Sequence, residues 1–378
     1  MGRRVGGLPP VLPGYSYIRP LGSGGFADVF CYEQDMPRRV VAVKVLAAEL
    51  TDGPARRAFN AEADVLARLS AHPAVVTIHD ASVSADGRPY LVMEYCPDTL
   101  GAKAKRAPLA VPEVLDAGVR MAGALEMAHR SGVLHRDIKP SNILVTTLGI
   151  PVLADFGIAA AVTGPGAQEA VAMSVPWSSP EVLQEQVAGS VASEVWSLAA
   201  TLSTLLAGRS PFESTQRHQN SREQMTARIL RQRPTPPDRA DVPAEVLSIL
   251  DRAMSRDPAR RQPTMLALGE ELRWAQYHLG LVPTTLDVPS TEWARGAAPV
   301  DLADESRRGP VASTVLDGGR RAARRARAER QAAVDRDGLV IAGPARPTPW
   351  RAVLLGALAG VAVLGVGVAV LAALGVLG

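Results

Sequence analysis

Leu134-His135-Arg136-Asp137-Ile138-Lys139-Pro140-Ser141-Asn142, followed thirteen residues after Asn142 by Asp155-Phe156-Gly157, is the stretch on which the reading of this chain turns. Two carboxylates and a carboxamide on successive loops supply a base and a cradle for divalent metal. Asp137 is suited to accept a hydroxyl proton, and Asn142 and Asp155 are suited to hold Mg²⁺. Lys139 is a cation suited to neutralise charge as a phosphoryl group moves.

Upstream lies Leu21-Gly22-Ser23-Gly24-Gly25-Phe26-Ala27-Asp28-Val29. Its glycines permit a tight strand–turn–strand whose amides approach phosphate oxygens with no Cβ in the way. Alone, such a segment is equally a plain β-turn. Val41-Ala42-Val43-Lys44 then alternates as a strand does, and Lys44 is one of only four lysines, with Lys103, Lys105 and Lys139. A strand lysine can snorkel to solvent; beside a phosphate-cradling hairpin it can bind phosphates instead. Residues 54–69 read as a helix on which Glu62, Leu66 and Leu69 share one side. An acid at the edge of an apolar face makes sense as an ion-pair partner for Lys44.

With these motifs in this order, residues 15–281 resemble the protein kinase catalytic domain, most closely the membrane serine/threonine kinases of actinobacterial type. The resemblance implies an α+β bilobal fold, with a β-rich N-lobe over residues 15–96 and a helical C-lobe over 97–281. It implies ATP with Mg²⁺, or Mn²⁺ in its place, as cofactors and protein Ser/Thr hydroxyls as substrates. Adenine would lie between Leu21, Val29, Ala42 and Leu144, under Gly22, Ser23, Gly24, Gly25, Phe26 and Ala27. Met93 would be the gatekeeper, with backbone groups of Glu94 and Cys96 as the hinge. Lys44 and Glu62 match the ion pair of the active state, and Leu66, Ile78, His135 and Phe156 a stack joining the lobes. Ser179-Pro180-Glu181 stands where Ala-Pro-Glu is usual, with Arg261 as the partner of Glu181.

Several positions depart from the family pattern. Ala27 replaces a loop glycine. Glu194 stands where an Asp normally anchors the catalytic loop, and its extra methylene either reaches or loosens that loop. Met173-Ser174-Val175-Pro176-Trp177 replaces Gly-Thr-x-x-Tyr, leaving Ser174 to bridge Asp137 and Lys139, while Trp177 resembles tyrosine kinases. Arg136 normally seeks an anion on the activation segment. Between Ile158 and Met173 the sole hydroxyl is Thr163 and the sole acid is Glu169, so either Glu169 pairs with Arg136 or it lies in water. These departures keep a second reading open, a membrane-anchored pseudokinase or ATP-binding scaffold.

Outside the kinase-like body the composition changes. Of 41 Lys+Arg and 38 Asp+Glu, residues 301–378 hold 11 Arg and seven acids, so the basic excess is C-terminal. A nucleic-acid-binding body is disfavoured. Two cysteines support no disulfide framework and fit a reducing cytoplasm, and no secretory leader is read at the N-terminus. Residues 282–349 read as a flexible Arg/Ala/Pro-rich juxtamembrane linker. Residues 352–378 carry no charged or polar side chain in 27 positions, enough for one transmembrane helix. Every arginine of the region precedes that run, which puts the kinase-like body in the cytoplasm and the chain in the cell membrane as a signalling protein. Gly356-x-x-x-Gly360 offers a pairing face for a homodimer, though six glycines in one span produce such spacing easily. Thr284-Thr285-Leu286-Asp287 and Thr314-Val315-Leu316-Asp317, threonines followed closely by Asp, would resemble ligands of phosphothreonine-reading forkhead-associated domains once phosphorylated.

Overall fold

The computed structural model describes residues 7–24, 27–46, 53–156 and 174–288, with backbone alone for residues 53–58, 61 and 62. Alternation along β3 (Arg39–Leu46) gives the N-terminal lobe two faces. Val41, Val43 and Val45 point outward into a small core with Phe30, Tyr32, Tyr90, Val92 and Leu12. Ala42 and Leu46 point inward, joining Leu91 and Met93 in the main core. Lys44 shares the inward parity, so strand register alone aims it between the lobes.

The surrounding sheet is antiparallel, in the order β1 (Tyr15–Ser23), β2 (Ala27–Gln34), β3, β5 (Pro89–Glu94) and β4 (Ile78–Val83). Ala42 pairs with Met93 and Lys44 with Leu91, fixing the cleft wall residue by residue. The helix expected over 54–69 is α1 (Gly53–Leu69), which buries Phe59, Leu66 and Leu69 at helical spacing. The segment before β1 also packs on this lobe: Leu12 is buried, and the Tyr32 hydroxyl donates to the Pro10 carbonyl at 2.6 Å.

The second lobe is helical, comprising α2 (Leu100–Arg106), α3 (Val111–Arg130), α4 (Pro180–Leu183), α5 (Val191–Ala207), α6 (Arg222–Arg231), α7 (Ala244–Ala253) and α8 (Met265–His278). A small sheet of β6 (Asp98–Thr99), β7 (Ile143–Val145) and β8 (Pro151–Leu153) faces the cleft. α5 is apolar on nearly every side and forms the central pillar: Val195, Trp196, Leu198, Leu202, Leu205 and Leu206 are buried. A reciprocal Ser190/Ser193 capping box starts it, and Gly208 in the left-handed region (φ 72°) ends it.

Below the pillar, Arg261 is buried and donates to both Glu181 carboxylate oxygens at 2.6 and 2.9 Å. Its guanidinium also lies 5.0 Å from the Trp196 ring centre. The pairing expected from Ser179-Pro180-Glu181 is thus present. Burial opposes ionisation of Glu181, but the Arg261 hydrogen bonds win and hold its pKa below the ordinary value.

The segment expected to open the linker at 282 falls within the described residues as far as 288. Thr284 is buried, and residues 284–287 lie on α3 and α8, where Thr284 and Leu286 have a polar and an apolar seat. Of the two threonines expected there as phosphothreonine ligands, Thr284 is buried with its hydroxyl on Asp116 and Gln276, whereas Thr285 is exposed. No helix among the described residues is long and apolar enough to cross a membrane. The run 352–378, with its Gly356-x-x-x-Gly360 spacing, lies outside the described residues, as do Thr314, Gly25, Phe26, Thr163, Glu169 and the side chain of Glu62.

Removing one member of the buried pair leaves an uncompensated charge. Glu181→Ala is expected to lower unfolding free energy by ~3–5 kcal/mol; denaturant titration of the full chain checks this, and a loss well under 1 kcal/mol would contradict it.

Candidate active site

The glycine-rich turn joins β1 to β2, where Gly24 N–H donates to the Ala27 carbonyl at 2.8 Å. A Cβ built on Gly22 would meet nothing within 4 Å among the described residues, which leaves room there for a ligand. Leu21, Val29 and Leu144 are partly buried, whereas Ala42 and Met93 are buried. At the hinge, Glu94 N–H already donates to the Thr77 carbonyl at 2.9 Å and is not a free donor. Burial, with Glu94 nearby, pushes the Cys96 thiol up to about 12, so it is no nucleophile at neutral pH. Behind Met93 a small apolar cavity, walled by Leu66, Val75, Ile78, Leu91 and Phe156, opens onto Lys44 and Asp155.

Lys44 Nζ donates to Asp155 Oδ1 at 2.6 Å. The lysine side chain is 15% exposed and the aspartate 44%, its carboxylate facing the cleft. Desolvation pushes the Asp155 pKa up, but Lys44 outweighs it, with Lys139 adding, so the net shift is downward. The anionic form suited to a metal is therefore the stable one. The Lys44–Glu62 pair lies outside what is described, and Lys44 is seen on Asp155.

The catalytic loop is built from the pillar outward. Glu194 is buried, and one oxygen accepts the Arg136 N–H at 2.6 Å while the other meets His129 Nε2 at 2.6 Å. The longer acid thus reaches the loop and also grips the end of α3. Nothing in the sequence marks His129 as functional, since it is one of several polar residues on α3, with Glu113, Asp116, Arg120, Glu126 and Arg130. Arg136 sits at φ 64° and Asp155 at φ 65°, left-handed conformations that non-glycine residues adopt at a cost. Among the described residues no acid meets the Arg136 guanidinium.

His135 is fully buried, and its Nδ1 accepts from Asp137 N–H at 3.3 Å while Nε2 donates to the Ala154 carbonyl at 2.9 Å. Burial lowers its pKa, in agreement with a neutral ring engaged on both sides. Its ring lies 4.6 Å from Phe156, as the expected stack requires.

Asp137 stands at the centre of these groups. Oδ1 accepts from Ser174 Oγ at 2.7 Å, and Oδ2 accepts from Lys139 Nζ at 2.6 Å and Asn142 Nδ2 at 3.1 Å. Lys139 also donates to Ser174 Oγ at 3.1 Å, so the bridge expected of Ser174 is formed. Asn142 donates to the Asp137 carbonyl at 2.9 Å, while its own carbonyl accepts Ala154 N–H at 2.9 Å. Pairing of Ile143 with Leu153 then carries Asn142 and Asp155 to neighbouring strand ends.

One amide oxygen and one carboxylate are a hard-oxygen pair, fitting Mg²⁺ that takes one or two protein ligands and completes its shell from phosphate and water. Such a cation would neutralise phosphate oxygens. Asp137 is oriented to accept a hydroxyl proton, and Lys139 and Lys44 are placed to hold phosphate charge. Trp177, flagged as atypical, donates from Nε1 to Thr204 Oγ1 at 3.0 Å and so ties the activation-segment exit to α5.

Shortening Glu194 tests the anchor. Glu194→Asp cannot keep both contacts, and kcat for phosphotransfer is expected to fall roughly tenfold with KM for ATP little changed. Steady-state kinetics check this; unchanged kcat would contradict it.

The protein kinase domain model matches residues 15–271 of the chain. The serine/threonine-protein kinase PknK of Mycobacterium tuberculosis is 40% identical over 305 residues, covering 79% of this chain and 26% of the relative. PknF of the same species is 34% identical over 260 residues, 66% of this chain and 53% of that protein. PknB of Mycolicibacterium smegmatis is 31% identical over 277 residues, 70% and 43% of the two chains. The chain thus spans between about a quarter and a half of the length of these relatives. The glycine-rich turn, Lys44, the loop around Asp137 and Asp155 all fall inside the matched residues, and the chain belongs to the protein kinase family, alongside bacterial relatives of the eukaryotic-like type.

Proposed function

We propose that the chain is a serine/threonine protein kinase that moves the γ-phosphate of ATP to protein hydroxyls. The observation carrying this is the seating of Asp137: Lys139, Ser174 and Asn142 hold its carboxylate between them, with Asp155 paired to Lys44 beside it. Phosphoryl transfer is mostly positioning and electrostatics, and these groups supply both. Asn142 and Asp155 would hold Mg²⁺, which screens the phosphates when bound. Asp137 orients the acceptor hydroxyl and takes its proton as the oxygen attacks. Lys139 then steadies the transferring group, and Lys44 the remaining phosphates.

The relatives' names support the serine/threonine assignment. The firm seat of Glu194 speaks against a pseudokinase, since the substitution that argued for a loosened loop keeps its anchor. Radiolabelled ATP with the full chain and a generic protein acceptor tests the reading. Transfer by the unmodified chain and a loss of about three orders of magnitude in Asp137→Asn are expected; equal labelling of both would refute it.

The same proposal places the kinase at the cytoplasmic face of the cell membrane, held by a transmembrane helix over 352–378 and working in signalling. Its support is the uncharged 27-residue run and the arginines that precede it. Full chain is expected in the membrane fraction, resistant to high salt, and a chain lacking residues 350–378 in the soluble fraction. Recovery of both in one fraction would remove the anchor. Pairing through Gly356 and Gly360, recruitment of a phosphothreonine reader by Thr314, and an Arg136–Glu169 contact are parts of this reading that rest on sequence pattern.

A further inference from the structure

Beyond α8 the chain follows a built path. Thr284 N–H donates to Gln276 Oε1 at 2.8 Å, and Gln276 Nε2 donates back to Thr284 Oγ1 at 2.8 Å. That hydroxyl in turn donates to Asp116 Oδ1 of α3, also at 2.8 Å. Leu286 then crosses the helices where they are smallest: a Cβ on Gly269 of α8 would stand 2.9 Å from its Cδ1. On α3, a Cβ on Gly123 would stand 2.6 Å from the Asp287 carbonyl oxygen, which is backbone and cannot swing aside. The two helices therefore carry a seat whose depth depends on glycine, and residues 284–287 fill it.

The seat ends on a histidine from the other lobe. His72 Nε2 donates to the Asp287 carbonyl at 2.7 Å, and its Nδ1 accepts Ala74 N–H at 3.0 Å. Both ring nitrogens are used in the neutral state, and burial lowers the pKa accordingly. His72 lies in the turn between α1 and β4. That turn is also stitched to β8: Leu153 N–H donates to the Ala74 carbonyl at 2.8 Å, and Val76 N–H donates to the Leu153 carbonyl at 2.9 Å. Two residues beyond Leu153 stands Asp155.

We infer that residues 281–288 are a strap that positions the metal-binding aspartate, acting through His72 on the turn after α1 and through that turn on β8. His72 touches no reacting atom; it is a positioning residue. The strap lies beyond residue 271, where the match to the protein kinase domain model ends. The kinetic part of the inference rests on the phosphotransfer reading, and the structural part does not.

The test uses the full chain with Gly123→Ala, which pushes on the strap without deleting any strap contact, and His72→Ala, which cuts the link. Thr285→Ala, on an exposed strap residue, is the control. Amide hydrogen exchange at residues 72–76 and 151–155 is expected to quicken roughly tenfold in both variants and not in the control. In parallel, kcat should fall about three- to tenfold while KM for the protein acceptor stays unchanged. Faster exchange confined to residues 281–288, or a lowered Tm with unchanged kcat, would overturn the inference. Should Gly123→Ala fail to fold, Leu286→Ala carries the same readouts. A chain without any transfer would end the kinase reading, while exchange would still decide the strap.

Discussion

Everything at the catalytic loop hangs from one carboxylate. Glu194 projects from the pillar helix, the most deeply buried element of the second lobe, and its two oxygens are divided between the Arg136 amide and His129. Helix α5 cannot shift without disturbing a core of Trp196, Leu202 and Leu205, so a group tied to it inherits that rigidity. The loop itself contains a residue at positive φ and would relax if released. The anchor therefore offsets local strain with global packing. Asp137, one residue further on, is held by that trade as much as by its own hydrogen bonds.

The chemistry was legible because it depends on residue type at fixed spacing. Asp137, Lys139, Asn142 and Asp155 occur within one short stretch, and backbone pairing of β7 with β8 brings them together without long-range help. The inward aim of Lys44 could likewise be read from strand parity. The Glu181–Arg261 contact spans 80 residues and came from resemblance, not from any local pattern.

What could not be read follows from the same logic. Whether Glu194 reached the loop was a question of ångströms that sequence leaves open, and His129 had no partner until α3 and α5 were set side by side. Pro, Thr and Asp give residues 283–287 a linker's composition, which hides their packing. Only the seat on α3 and α8 gives those side chains a place, and Gly123 and Gly269 carry no mark in the sequence that distinguishes them from ordinary helix glycines.

The neutral histidines have a consequence for proton balance. His72 and His135 are both held uncharged in the fold, with pKa values pushed below the ordinary histidine value of 6.5 by burial. Unfolding frees both rings to take up protons once the pH drops toward 6.5, so the unfolded chain binds more protons than the folded one. Their share of the folding free energy is complete above that value and drains away as the pH falls from there toward the lowered folded values. Mild acid thus draws on the two places where a ring nitrogen meets a backbone carbonyl, one just past β8 and one at the end of the strap. The stack that joins the lobes and the turn that steadies it are made acid-sensitive together.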